Sequence, residues 1–239
     1  MPDISLPSES ASSAPVHAAM FEQLVRQRHA TRQFLPQPLT QAQIEAVLGD
    51  AQQAPSNCNT QPWQVHVVSG AKRAELATAL RVAALQGDAA PDFSFDKAGF
   101  TGGYGERCQA SGKAHYDLLG IGREERQRRA EEALRNFDFF GAPHVALLFM
   151  PAVGDSVRVA GDLGMYGQTF LLSLTAHGLA GAAQTSVAMF APTVRRVLGI
   201  AESSRLLFAI SFGYADPAAA VNQLRVGRAG LEESVVFHR

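Results

Sequence analysis

The sequence is short of cysteine and lysine and has no long apolar run. Its 239 residues hold two cysteines, Cys58 and Cys108. That is too few for a disulfide framework, and the spacing matches no paired-ligand motif, so a zinc site is not expected and the chain reads as cytoplasmic. Lysine supplies 3 of the 21 basic residues and the formal net charge is -1. The basic excess that binds a phosphate backbone is therefore missing, which argues against nucleic acid as a partner. Residues 1–15, with Pro, Ser and Glu, lack the basic start and apolar stretch of a signal peptide and read as a flexible leader. The most apolar segment, residues 163–180, is interrupted by Gln168, Ser173, Thr175 and His177, so no membrane span is expected. What remains is a chain that is 46% hydrophobic, enough for a real core. The other 18 basic residues are arginines, whose planar fork grips phosphate and carboxylate with two parallel bonds, so small anionic ligands stay possible.

The apolar positions Val16, Met20, Leu24 and Val25 predict a first amphipathic helix over Val16 to Arg28. An extended piece, Ala30 to Leu35, leads to Thr40 and Gln43, which match a capping box for a second helix carrying Ile44, Val47, Leu48 and Ala51. Ala54 to Trp63 is a polar loop before a strand at Val65 to Val68, and loops of this kind often carry sites. A third helix is expected over Ala71 to Leu85. The glycine-rich stretch Gly87 to Gly112 reads as an irregular excursion or lid. Five Arg and four Glu among the thirteen residues Arg123 to Arg135 predict a helix with a solvated face. A buried strand follows at Val145 to Met150. Asp155 to His177 is apolar nearly all round, which fits a helix at the centre of a domain or at a subunit interface, with Gly178 as its stop. After a short run to Gln184 come a helix near Pro192 to Leu198, closed by Gly199, and a strand at Leu206 to Tyr214. The segment from Asp216 reads as an extended arm ending in a short apolar strand, Val235 to Phe237. With no internal repeat, one α+β domain over residues 16–239 is the economical organisation.

No GxSxG elbow, HExxH, Walker loop or G-x-G-x-x-G after a strand is present, so no catalytic triad, metal site or nucleotide cradle is expected. Asp162 lies in an apolar helix, where it serves either as a proton donor or as a capping or interface-paired carboxylate. His66 and His144, each inside an apolar stretch, read as hydrogen-bonded core residues rather than ligands. Three segments are rich in groups that recognise anions and amides: Arg28-His29-Ala30-Thr31-Arg32, residues 55–63, and Arg225-Val226-Gly227-Arg228. Any one of them alone is compatible with solvated surface.

Together they resemble a known family. The order Arg28-His29-x-Thr31-Arg32-x-Phe34, then Ala54-Pro55-Ser56-x-x-Asn59-Thr60-Gln61-Pro62-Trp63, then Gly178-Leu179, then the Arg225 to Arg228 tail is similar to FMN-dependent nitroreductases. Arg135-Asn136-Phe137, Gly213-Tyr214-x-Asp216-Pro217 and Val221-Asn222-x-x-Arg225 extend the likeness to the nitrobenzoate-reductase-like branch. The resemblance implies an α+β nitroreductase-like fold with a central, mainly antiparallel sheet flanked by helices. It also implies a homodimer with exchanged C-terminal arms and two FMN molecules at the subunit interface. Carried over by position, Arg28, His29, Ala30 and Arg32 would hold FMN, with Arg28 toward phosphate and ribityl and Arg32 toward the pyrimidine edge. Pro55, Ser56, Asn57, Asn59 and Gln61 would approach from the other subunit, and Arg228 and Arg225 would close on the phosphate. At Ala183-Gln184-Thr185 the backbone N–H of Thr185 would face flavin N5. The chemistry implied is ping-pong: NADPH or NADH gives hydride to N5, and a nitroaromatic or quinone-like acceptor then takes two electrons, so no catalytic side chain and no metal are needed. Two departures stand out. Ala30 replaces a common Ser and loses a hydroxyl contact, and Ala183 replaces a Pro, which leaves that loop less fixed. They keep open a flavin-binding protein with little turnover, or another flavin reaction such as azoline oxidation or dehalogenation. The excursion and Phe137 to Phe140 are expected to shape the acceptor pocket.

Overall fold

The computed structural model describes residues 14–239. The expected leader lies outside the described residues except for Ala14 and Pro15, which open helix α1 (Ala14–Gln27). Four strands form one sheet: β1 (Gln64–Ser69), β2 (His144–Pro151), β3 (Ala180–Gln184) and β4 (Ser204–Gly213). Their order is β1-β2-β4-β3 and every neighbouring pair is antiparallel.

Antiparallel sheets commonly leave one face in water, but here both faces are covered, which explains why β2 is apolar at nearly every position. Val145, Leu147 and Phe149 pack with α3 (Gly70–Gln86) and α8 (Ala191–Leu198). Ala146, Leu148 and Met150 point the other way, into a core made with α2 (Gln41–Ala51) and α6 (Val157–Ala176). The period-2 alternation of a strand thus feeds two separate cores.

Local signals place the helix ends. Thr40 and Gln43 form the expected capping box, with Gln43 N–H donating to Thr40 Oγ1 at 3.3 Å and Thr40 N–H to Gln43 Oε1 at 3.0 Å. Helix α6 stops where Gly178 takes a φ of +69°, and Leu179 N–H returns to Leu174 O at 2.8 Å, the six-to-one bond of a Schellman ending. His144 is the hydrogen-bonded core residue that was expected. His144 Nε2 accepts from Leu39 N–H at 2.9 Å, so its proton is on Nδ1, facing Ser69 Oγ. His66 departs from that expectation: it is only half-buried, and it meets the Phe149 ring edge-on rather than a hydrogen-bond partner among the described residues.

Several expectations are corrected. The stretch 87–112 is not irregular throughout, because its second half is part of α4 (Gly102–Leu118). The charged helix is shorter than expected, α5 (Arg126–Leu134). The run before Gln184 is a strand, β3, followed by the single turn α7 (Thr185–Ala188). Residue 183 therefore lies in the sheet, opposite Ile210, and no proline is needed to fix it. Gln184 adds a second anchor, donating to Asn136 O at 2.8 Å and accepting from Ser211. Val235 to Phe237 form no strand within the protomer, and Val236 and Phe237 are largely exposed. Phe137, Phe139 and Phe140 do not shape an open pocket. They are buried against α3 and the sheet.

Candidate active site

The extended segment after α1 is stitched to the sheet edge. Ala30 bridges Gly181 in parallel and Phe34 bridges Ala215, while Thr31 N–H donates to Gly181 O and Leu35 N–H to Tyr214 O. Gly181 also lets β3 lie close against α6. A Cβ there would lie 2.9 Å from both Leu171 Cδ2 and Leu174 Cδ1, pushing β3 away from α6. The C-terminal segment is fastened by Asn222, which is buried. Its Oδ1 accepts from Arg32 N–H at 2.9 Å, and its Nδ2 donates to Gln33 O at 2.8 Å and Asp216 O at 2.9 Å. One amide side chain thus holds two segments together that lie 190 residues apart.

Between these segments lies a cleft of about 1320 Å³. It brings together Arg28, His29, Ala30, Arg32, Arg225 and Arg228, six of the thirteen residues expected from the sequence. Its apolar wall is Phe21, Val25, Leu224 and Val226. Among the described residues, none of Arg28, Arg32, Arg225 and Arg228 has a carboxylate in salt-bridge range. Arg225 and Arg228 instead donate to backbone carbonyls, at 2.8 Å to Asn222 O and 2.8 Å to Val226 O. Burial, and then the like charge of Arg228, lower the Arg28 pKa. Burial also lowers that of Arg32, with distant Glu132 acting against it. Guanidinium keeps its charge under such shifts, so the cleft is a cationic hollow: its one lining carboxylate, Glu22, is paired with Arg26 at 2.7 Å and leaves these four arginines unpaired. His29 Nδ1 donates to Gln27 O at 2.8 Å.

The other expected residues stand elsewhere in the protomer. Pro55, Ser56, Asn57, Asn59 and Gln61 do not line the cleft. Their loop winds through a single helical turn over Asn57–Asn59, with positive φ at Cys58, Asn59 and Gln61. Two bonds brace it: Gln61 N–H donates to Ser56 Oγ at 2.9 Å, and Asn57 N–H donates to Asp162 Oδ1 at 2.9 Å. Asp162 is thus a buried anchor for this loop rather than a free proton donor. Ala183 and Thr185 also lie outside the cleft wall. Thr185 is the first residue of α7, where N–H groups have no acceptor inside the helix.

Residues 25–214 match the nitroreductase family. The chain belongs to that family. It is 44% identical to nitroreductase NfnB of Mycolicibacterium smegmatis over 218 residues, covering 91% of this chain and 92% of that one. It is 34% identical to 4-nitrobenzoate reductase of Pseudomonas putida over 210 residues, covering 87% of this chain and 91% of that one. Among solved structures, the FMN-dependent nitroreductase NfnB from Mycobacterium smegmatis in complex with NADPH superposes with a TM-score of 0.89 at 43% identity, covering 93% of this chain and 100% of that one. The nitrobenzoate-reductase-like branch is thereby supported, as is the nitroreductase fold.

Four polar residues of this nitroreductase cleft were not among the expected site residues: the ion pair Glu22 and Arg26, from α1, Ser111, from α4, and Gln168, from α6. Gln168 carried a signal, being a polar interruption in the most apolar helix. Ser111 carried none, because its helix was hidden among glycines.

Proposed function

We propose that this chain is an FMN- and NADPH-dependent nitroreductase acting on small nitroaromatic acceptors, and that its working unit is a homodimer in a cytoplasmic setting. The observation that carries the reading is the cleft in which Arg28, Arg32, Arg225 and Arg228 converge beside an apolar wall, while its one lining carboxylate, Glu22, is taken by Arg26. A flavin mononucleotide has matching parts, an anionic phosphate and a flat aromatic ring system. The relatives named above as FMN-dependent or as nitrobenzoate reductases support the same assignment. In this reading Arg28 and Arg228, helped by Arg225, take the phosphate through charge-assisted bonds. Arg32 holds negative charge on the pyrimidine side, and His29 and Ala30 complete that wall. FMN, when bound, supplies the chemistry by accepting hydride from the nicotinamide and passing two electrons to the acceptor.

What the chain contributes is binding and orientation. Asn222 fixes the spacing between Arg32 and the Arg225 to Arg228 segment. Pairing of β3 with β4, with Gln184 tied to Asn136, directs the Thr185 N–H. The loop carrying Pro55, Ser56, Asn57, Asn59 and Gln61 would close the cleft of the second copy, which accounts for its distance from the cleft of its own. Exposed apolar side chains on α1, Val16, Met20, Phe21 and Val25, together with Val236 and Phe237 in the arm, support a dimer. Exchange of the arms would cover the last two. The free thiols of Cys58 and Cys108 support a reducing compartment.

The test uses purified protein supplied with FMN. NADPH oxidation should accelerate when 4-nitrobenzoate, nitrofurazone or menadione is added. A rate unchanged by all three acceptors overturns the assignment.

A further inference from the structure

Behind the cleft, α4 and α5 meet the Arg32 segment through one shared carboxylate. Glu132 of α5 has a side chain only 10% exposed. Its Oε1 lies 3.2 Å from His115 Nε2 of α4, and its carboxylate lies 3.2 Å from Arg135 Nη1. Arg135 in turn donates from Nη2 to Arg32 O at 2.7 Å. Arg32 has no carboxylate in contact, so Glu132 is the negative charge that balances Arg135 and faces Arg32 at longer range. His115 is nearly as enclosed, 15% exposed at its side chain, and its Nδ1 is buried without a partner. With Nε2–H directed at Glu132, the bare Nδ1 identifies a neutral ring. Protonation would bury an unpartnered N–H among Arg32, Arg135 and Glu132, the charged groups that face it, with Tyr116 on its own helix packed edge-on.

We infer that Glu132 is a positioning residue for the flavin site: through Arg135 and His115 it holds α4 and α5 against the Arg32 segment, and its charge sets how strongly the cleft favours the reduced cofactor. The inference rests on the FMN reading above. Burial and the Arg32 charge lower the His115 pKa while Glu132 opposes them, which agrees with the neutral ring. Glu132→Gln keeps the shape and removes one negative charge behind Arg32, so the more negatively charged reduced FMN gains stability. Glu132→Asp keeps the charge.

The experiment measures the two-electron midpoint potential of FMN bound to wild type, Glu132→Gln and Glu132→Asp, with thermal melting of each to confirm folding. Glu132→Gln should favour reduced FMN about tenfold, a rise of about 30 mV for a two-electron couple. Glu132→Asp should stay within about threefold of wild type, the range in which single-site context effects of this kind scatter. A Glu132→Gln potential equal to wild type overturns the inference, as does an Asp variant shifted as far as the Gln variant. Wild type alone gives a second reading if neither variant folds. Linkage is reciprocal, so reduction of FMN should move the His115 titration, followed by NMR, to higher pH. A titration that does not move overturns the inference. Wild-type protein that takes up no FMN overturns instead the functional assignment beneath it.

Discussion

Arginines in two regions of this protein meet opposite fates. On one side of the sheet, Arg195 and Arg205 converge on Asp92, whose side chain is 3% exposed, at 2.5 and 3.2 Å, and Leu206 N–H adds a third bond at 2.8 Å. Burial pushes the Asp92 carboxyl up, but the bonds from Arg195, Leu206 and Arg205 outweigh it and hold the group below the usual carboxylate range. That cluster is complete in itself, and it pins the start of the excursion after α3 to α8 and β4. In the cleft, Arg28, Arg32, Arg225 and Arg228 have no carboxylate in salt-bridge range among the described residues. The lesson concerns the counterion rather than the cation. An arginine whose charge is already answered is structural, and a group of arginines whose charge is not answered describes a ligand.

The sharpest way to break the contrast is to remove the counterion where it exists. Asp92→Ala leaves Arg195 buried and unpaired, and the expected loss is about 3–5 kcal/mol of folding stability, read by urea unfolding. A loss below 1 kcal/mol, the scale of an exposed pair, would place Asp92 among surface contacts. Because the folded Asp92 pKa is depressed, its contribution is present above the unfolded value near 3.9 and is lost as pH falls through the folded value. Wild type should therefore weaken more steeply in acid than the variant does. Arg228→Ala is the complementary change. It should leave the fold and the melting temperature nearly unaltered while costing about 1.5–3 kcal/mol in FMN affinity, the range for a bond to a charged group. If the affinity of FMN, followed by flavin fluorescence, is unaltered, Arg228 does not belong to the site.

Much of this site was legible because it is written in short contiguous strings. Arg28 to Arg32 and Arg225 to Arg228 each span five residues or fewer, and all of them but the buried Thr31 line the cleft. Helix α2 and the end of α6 were legible for the same reason, since a capping box and a Schellman glycine are local chemistry. The missed elements depend on distant partners. Residues Ala180 to Gln184 have no β-branched side chain, and they are a strand only because β4 offers a ladder. Helix α4 holds Gly102, Gly103 and Gly105 in its first turn and Gly112 in its interior, where glycine costs about 1 kcal/mol relative to alanine. It is held instead by contacts such as Arg107 with Glu233 and His115 with Glu132. Phe137 to Phe140 looked available as pocket walls because nothing in their sequence reports that α3 covers them.

The same distinction between answered and unanswered groups applies to histidine. His144 is satisfied only when neutral, since a proton on Nε2 would cancel the bond from Leu39 N–H, and burial lowers its pKa. The unfolded chain then binds more protons below the unfolded value of about 6.5, so stability should fall as pH drops below that point. His144→Asn should flatten this part of the stability profile, measured by denaturant midpoints at stepped pH. A profile with the same slope would assign the acid sensitivity to other groups, His66 and His115 among them.

The smallest expected effect comes from supplying the cleft with a group it lacks. Ala30 lines the hollow between Arg28 and Arg32, and its backbone is held by the bridge to Gly181. A hydroxyl at this position therefore arrives on a fixed segment, with no ordering of the chain to offset the gain. Ala30→Ser should tighten FMN by about 0.5–1.5 kcal/mol, the net value of one added hydrogen bond, and should not alter melting of the FMN-free protein. Unchanged affinity would show that the hydroxyl has no acceptor on the cofactor. The four arginines, rather than the wall between Arg28 and Arg32, would then carry recognition in this cleft.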